Sequence, residues 1–495
     1  MTNWTRRAAL LGAGAVLGGL TSRSLMTSNP TLDGVKLTTP TNLPGTLNDA
    51  SLLSQTPIHK HIILKNDPGE ALIAAIRAEM KEARENGRPV NVSAARHTMG
   101  GQAIALDGHA ITFDNGMVEP DTDQGTYRTH AGARWSQVIN AIDPLGYSPK
   151  VMQSNNDFGV ASTFCVNAHG WPVPFGPMGS TVRAIDLITP DGSLVTCSRS
   201  KNTTLFNQSM GGYGLTGAIV SMEVEMEKNT RLKPSFAEMP AQEFGTAFIK
   251  ALENPDVTMA YGRLNVSRAE FFKHALMITY RASDDQTDLP AAAGSGIMSK
   301  IASYVYRAQL GNERMKDLRW WFETDLGTTL GGGETTRNSL INEPVITLDD
   351  RDDTRTDILH EYFVAPDRFP EFLTLCREVI PASYQEFLNV TLRFINKDNE
   401  SWLSYATVPR IAAVMSFSQE MTARAEADMA RMTRDLVEGI IGIGGAYYLP
   451  YRPHPTVAQL ERAYPRAAAF AAAKRDLDPA MIFRNNLWDS YLEKL

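Results

Sequence analysis

The sequence is poor in cysteine, in runs of one charge and in long apolar stretches, and each shortage removes a class of protein. Cys165, Cys197 and Cys376 are the three cysteines in 495 residues. They are too few and too scattered for a disulfide framework or a metal site, so each reads as a small buried hydrophobe and no metal is expected. Basic residues number 48 against 55 acidic ones, a net charge of −7, and no basic run is present. Nucleic acid is therefore not an expected partner. The apolar stretch Ala8 to Leu20 is too short and too rich in small residues for an ordinary membrane span. No internal repeat is visible. What is there is a chain with 43% hydrophobic residues, long enough for two domains sharing a large core.

Thr5-Arg6-Arg7 ahead of that stretch resembles a twin-arginine export signal, with Ala9 where such signals often carry phenylalanine. The likeness implies export to the periplasm or the exterior by a route that carries folded proteins. A disordered basic leader with no export role is the open alternative. Residues 1–45 are read as signal and linker. Gly12, Gly14 and Gly18 follow no strand and do not form a dinucleotide fingerprint.

The organising stretch is Pro89 to Asp114. Pro89 to Val92 and Ala110 to Phe113 read as short strands around Ser93-Ala94-Ala95-Arg96-His97-Thr98-Met99-Gly100-Gly101-Gln102. The small residues and the two glycines let backbone N–H groups approach an anionic ligand, with the His97 imidazole at the centre; a surface turn is the plain alternative. Upstream, His61 to Leu64 reads as a strand. Asp67-Pro68-Gly69-Glu70 then reads as N-cap, first-turn proline and third-position acid of a helix that Gly87 ends.

Thr126 to Ala131 reads as a strand, and Arg134 to Asp143 as a helix with Trp135, Val138, Ile139 and Ile142 on one face. Gln153 to Gly170, rich in small and polar residues, reads as loops laid along a flat ligand. Val182 onward reads as a hairpin turning at Pro190-Asp191-Gly192. Gly212, Gly214 and Gly217 fit G-x-G-x-x-G literally, but the order is helix, loop, strand. That is the reverse of the nicotinamide fingerprint and is no evidence for that cofactor.

These segments resemble, in order, the FAD-linked oxidases of the vanillyl-alcohol-oxidase and p-cresol-methylhydroxylase type. AARHTMGGQ is similar to the GRGHSxxGQ of cytokinin dehydrogenases and the xRHSxN of alditol and sugar-lactone oxidases, with Thr98 in place of serine. The likeness implies FAD, bonded through His97 to the 8α-methyl carbon and contacted by Ser93, Ala94, Ala95, Arg96, Thr98, Gly101 and Gln102. The segment about 70 residues on implies contacts from Gly159, Ser162, Thr163, Asn167, His169 and Gly170. The glycine loop implies Gly214, Gly217 and Ile219, and the closing Leu477 to Asn485 segment implies Asn485. Cys165 is not at the position used for a second, cysteinyl bond in some relatives, so one covalent link is expected.

The expected fold is α+β: a two-subdomain FAD-binding domain of this type over 57–228, an α+β substrate cap with an antiparallel sheet over 229–445, and a returning segment over 446–495. Within the cap, Pro234 to Asn254 reads as an amphipathic helix. Strands are expected at Val257 to Ser267, Ala275 to Arg281, Asp357 to Val364, Leu388 to Ile395, Trp402 to Tyr405 and Ala412 to Phe417. Residues 298–326 read as helix with a core cluster at Trp320, Trp321 and Phe322, and Gly331 to Gly333 as a flexible connection.

Oxidation of an alcohol or amine by a flavin needs a proton acceptor and polar anchors. The candidates are Arg393, His454, Glu361 and Tyr405, with Tyr362 and Arg452 behind them, each with a structural hydrogen bond as its plain alternative. Alditol oxidases carry Glu-x-Arg where this chain has Thr391-Leu392-Arg393, so the arginine is kept and the carboxylate is not. The resulting expectation is an FAD-dependent oxidoreductase acting on CH–OH or CH–NH groups of a small polar or carbohydrate-like substrate, reoxidised by oxygen or another acceptor. A non-catalytic flavin or ligand binder on the same fold, and a dehydrogenase that rejects oxygen, are the alternatives.

Overall fold

A computed structural model of the chain describes residues 43–294, 304–326, 333–344 and 354–495. The export-like leader lies outside them, as do Gly331 and Gly332. Among the described residues no helix is long and apolar enough to cross a membrane.

The first unit is a parallel sheet in the order β1 (Lys60–Leu64), β3 (His109–Phe113), β2 (Val90–Ser93), with helix α1 (Glu70–Glu85) between β1 and β2. The helix buries Leu72, Ile76, Met80 and Ala83, and Gly87 leaves it at φ +63°. It starts two residues later than the Asp67-Pro68 signal implies. The Asp67 carboxylate instead accepts from Asn115 Nδ2 at 2.8 Å, and Gly69 stands at the N-cap.

A second sheet runs β8 (Leu194–Ser198), β7 (Val182–Ile188), β9 (Ala218–Lys228), β5 (Thr126–His130), β4 (Val118–Asp121), all antiparallel, with β6 (Tyr147–Pro149) on the far end of β9. Helix α2 (Trp135–Ile142) packs its four expected apolar side chains into the shared core, each fully buried. Burial of side chains this size stabilises by about 1.5–3 kcal/mol apiece. The stretch 153–170 is not all loop, since Val160–Cys165 forms a short helix, α3.

The third sheet has eight strands: β13 (Thr335–Thr336), β10 (Arg231–Pro240), β12 (His274–Ala282), β11 (Val257–Leu264), β15 (Glu386–Ile395), β16 (Arg410–Glu420), β14 (Arg355–Val364) and β17 (Ala446–Tyr447). One face is covered by α5 (Phe244–Leu252), α8 (Phe369–Val379) and the twenty-residue α9 (Ala423–Gly442), while α4 (Thr203–Ser209) precedes β9, α6 (Glu313–Trp321) precedes β13 and α7 (Arg337–Ile341) follows it. The α+β class is as expected.

Several elements differ from expectation. Pro234 to Pro240 belongs to strand β10, whose side chains alternate in exposure, and the helix begins only at Phe244. Trp402 to Tyr405 is a turn rather than a strand. Asp398 Oδ1 accepts from the amides of Glu400 and Ser401 at 3.0 and 3.1 Å, curling the chain before a strand can form. Trp321 is 45% exposed, so the aromatic cluster is not a core. The helix ending at Lys474 is two helices, Val457–Ala463 and Ala467–Leu477, parted at Pro465. Helix α9, which the sequence reading does not anticipate, is capped by Thr422, whose side chain accepts from Ala425 N, and gives way to Gly444 at φ +73°. The C-terminal segment returns to the first sheet, where Phe483 bridges Val90 in parallel and the Val90 amide donates to Ile482 O at 2.6 Å.

Candidate active site

A cavity of about 470 Å³ lies between the first two sheets and the third. The residues after β2 form one wall. Arg96 takes φ +52° there, and its Nη1 donates to Thr112 Oγ1 at 2.9 Å. The turn is pinned from the C-terminal side: Met99 N donates to Pro450 O at 2.7 Å, and Gln102 Nε2 donates to Leu449 O at 2.7 Å and Tyr451 O at 3.0 Å. The His97 ring lies on Phe158 with centroids 4.1 Å apart. Ser93, Ala94, Ala95, Arg96, His97, Thr98 and Gln102 all line the cavity, as do Gly159, Ser162, Thr163, His169, Gly214, Gly217 and Ile219.

Four expected cofactor contacts do not line it. Gly101 turns away at φ +73° and its amide donates to Asp49 Oδ2 at 2.7 Å. Asn167, at φ +46°, holds a turn by accepting from Gly179 N at 2.9 Å and donating to Asp398 Oδ2 at 3.0 Å. Gly170 is a packing glycine, since a Cβ there would sit 1.8 Å from Met152 O. Asn485 caps the last α-helix (Asn486–Ser490) and donates to Tyr213 O at 2.8 Å, bracing the glycine loop from behind.

The third sheet forms the opposite wall, and strand parity decides which side chains reach it. Register places Arg263 of β11, Thr391 of β15, Val414 of β16 and Glu361 of β14 side by side in one row across four strands. Arg393, Asn389, Ser416 and Leu359 lie on the same face. Their neighbours Leu392, Met415, His360 and Tyr362 point to the other side, into the core beneath α9.

Glu361 is 3% exposed. Its Oε1 is in contact with His169 Nε2, and its Oε2 accepts from the Tyr451 hydroxyl at 3.2 Å. Arg393, also buried, donates from Nη2 to Ser154 Oγ at 2.8 Å, while its Nε has no partner among the described residues. Burial pushes the Arg393 guanidinium below its ordinary value, and Glu361 opposes that shift. Desolvation holds the Tyr448 and Tyr451 hydroxyls well above the usual phenol value, so both stay protonated donors. Cys165 lines the cavity, and desolvation pushes its thiol up to about 12, against thiolate chemistry.

Of the expected catalytic residues, Arg393 and Glu361 meet at the cavity. His454 and Tyr405 do not line it. His454 is bound to Glu426 at 2.8 Å with its backbone oxygen on Arg434, and Tyr405 donates to Asn167 O at 2.5 Å. Arg452 is paired with Glu426. Sequence reasoning missed Arg263, Asn389, Ser154, Tyr448 and Tyr451. Arg263 and Asn389 sit on strands that are legible, and parity puts Asn389 on the face of Arg393, but the pairing that sets both strands beside Glu361 is not revealed by one sequence.

The residues present fit a flavin dinucleotide. Nothing stands within 4 Å of where a Cβ on Gly214 would lie, and the buried Thr98 hydroxyl, on the cavity wall, has no partner among the described residues. Residues 72–198 match the FAD binding domain family. The chain is 28% identical over 204 residues to cytokinin dehydrogenase 2 of Arabidopsis thaliana, covering 39% of this chain and 41% of that protein. It is 31% identical over 151 residues to cytokinin dehydrogenase 1 of Oryza sativa subsp. japonica, covering 28% of each. The match thus spans about two-fifths or less of these relatives. FAD is the cofactor this domain takes, and residues 72–198 are similar to the FAD-binding domain of flavoproteins of the vanillyl-alcohol-oxidase and p-cresol-methylhydroxylase type.

Proposed function

We propose that the chain is an FAD-dependent oxidoreductase acting on a CH–OH or CH–NH group of a small polar or carbohydrate-like substrate. The observation that carries this reading is the polar sheet face, with Glu361 and Arg393 buried on it, set across one cavity from the Arg96-His97 turn. When bound, FAD supplies the two-electron acceptor. The protein's share is to hold the substrate and move its proton. Arg393 and Arg263 anchor substrate oxygens by charge-assisted hydrogen bonds. Glu361 accepts the hydroxyl or amine proton, steadied by His169 and Tyr451. Tyr213, Tyr448 and Tyr451 keep bulk water from that carboxylate.

The carboxylate of the Glu-x-Arg pair is missing from β15, but Glu361 supplies one from two strands away, which supports catalysis over a non-catalytic binder. His97, on the cavity wall, is the proposed single tether; the raised Cys165 thiol supports one link rather than two. Residues 57–228 and 229–445 act as FAD and cap domains closed by 446–495, and the leader directs export by the twin-arginine route. The relatives' name, dehydrogenase, favours a variant in which the acceptor is not oxygen.

The test is anaerobic addition of an alcohol, sugar and amine panel to the purified flavoprotein. Loss of the oxidised flavin's visible absorbance with one compound class supports the assignment. A flavin that no compound in the panel bleaches refutes it. Peroxide formed on admitting air separates oxidase from dehydrogenase.

A further inference from the structure

Away from the cavity, at the end of the first sheet where β1 and β3 begin, three side chains from separate elements converge. His59 precedes β1, Glu82 lies on α1 and His109 opens β3, and one ligand atom from each falls within 4.8 Å of the others. His109 is the fixed member, its side chain 1% exposed. Its Nδ1 is bound to Glu79 Oε2 at 2.9 Å, while its Nε2 is buried and has no partner among the described residues. A buried imidazole with a carboxylate on one nitrogen and nothing on the other is the arrangement that orients a histidine toward a metal ion. The same face stays open to water at His59, which is exposed.

We propose that His59, Glu82 and His109 bind a divalent transition-metal ion of the zinc class, with Glu79 as the positioning residue behind His109. Two imidazoles and one carboxylate suit zinc and its neighbours rather than calcium or magnesium, which favour oxygen ligands. Tetrahedral bonds of about 2.0–2.1 Å set ligand atoms roughly 3.3 Å apart. Closure therefore requires His59 and Glu82 to move in on His109. Both have room to do so, since His59 is exposed and the Glu82 side chain is 45% exposed, held through Oε2 by Lys60. Lys60 does not occupy the site. Its ammonium takes Glu79 Oε1 at 2.8 Å and Glu82 Oε2 at 2.9 Å, leaving Glu82 Oε1 for the ion. The two carboxylates outweigh the one ammonium, so the pocket is net negative before the ion arrives. A bound ion ties the segment before β1 to the helix and to β3.

The experiment is zinc titration of the tag-free, full-length flavoprotein by calorimetry, with metal content measured after dialysis. One tight equivalent per chain is expected. His59→Ala, a surface change that leaves the fold intact, should abolish that equivalent. Glu79→Gln should weaken it by about 10–100-fold, as loss of a supporting carboxylate does elsewhere. Flavin content should stay the same in both variants. Absence of a tight equivalent in the native chain, or its full retention in His59→Ala, overturns the proposal.

Discussion

Replacement of Glu361 by glutamine is the sharpest perturbation of the cavity. The carboxylate receives two donors, His169 on Oε1 and Tyr451 on Oε2, in a site almost closed to water. Glutamine keeps the shape and one acceptor but turns an N–H2 group toward one of those donors. One hydrogen bond is lost and a buried donor is left unsatisfied, at about 1–3 kcal/mol of stability. That is a fraction of the 5–15 kcal/mol typical of a folded protein, so the variant should fold and hold its flavin. Loss of the proton acceptor slows chemistry by about 10²–10⁴-fold. At 1.36 kcal/mol per tenfold this is about 2.7–5.4 kcal/mol of barrier. The assay is anaerobic stopped-flow reduction of the bound flavin with the best substrate of the panel. The limiting rate should fall by that factor while the half-saturating concentration changes little, because Arg393 and Arg263 still anchor the substrate. A glutamine variant that reduces at the native rate would place the proton acceptor elsewhere and refute the reasoning.

Three further outcomes rest on the geometry described above. His97→Gln should leave a folded chain whose flavin passes wholly into the supernatant on acid precipitation, whereas the native precipitate stays yellow; a yellow variant precipitate would locate the tether at another residue. Burial, helped by His454, pushes the His360 imidazole down to about 3, so between pH 6.5 and 3 the unfolded state binds more protons and stability falls with pH, by about 5 kcal/mol over the whole window. His360→Asn should flatten that part of the stability curve, and urea midpoints measured at several pH values would read it. Gly170→Ala sets a Cβ against Met152 O and should lose about 1–3 kcal/mol by overpacking, seen as a lowered denaturation midpoint; an unchanged midpoint would mean the 152–170 contact gives way freely.

The sequence made the FAD side of the cavity legible because its signals are local. A turn of small residues around Arg96-His97 and the helical spacing of Trp135, Val138, Ile139 and Ile142 each need only a dozen residues to be read. What failed was non-local. Asn167 and Gly170 sit inside a matching motif, yet one holds a turn against Asp398 and the other packs on Met152, contacts that no spacing announces. His454 stands out as a histidine near the C-terminus, but its actual partner, Glu426, lies 28 residues away on another element, a contact that no spacing announces. Pro234 to Pro240 carries a composition compatible with either element, and pairing with β12 settles it as strand. Glu361 and Arg393 were reachable because each stands in an alternating run, where parity alone assigns a face.

The two walls of the cavity also differ in how freely their residues can change. On the flavin side the path of the backbone is fixed by close approach: a Cβ on Gly217 would meet Ile188 O at 2.4 Å, and the turn after β2 is held to residues 449–451 by three hydrogen bonds. A substitution there disturbs the fold and the cofactor together. On the sheet side, Thr391, Val414 and Ser416 project from strands whose alternate residues, Val390, Ala413 and Met415, carry the core on the other face. Exchanging the inward side chains therefore leaves the packing beneath α9 untouched. Under the proposed function, substrate range follows that row and flavin binding the turns, so the chemistry can stay constant while the molecule it acts on differs; residues 72–198 identify the cofactor without identifying the substrate.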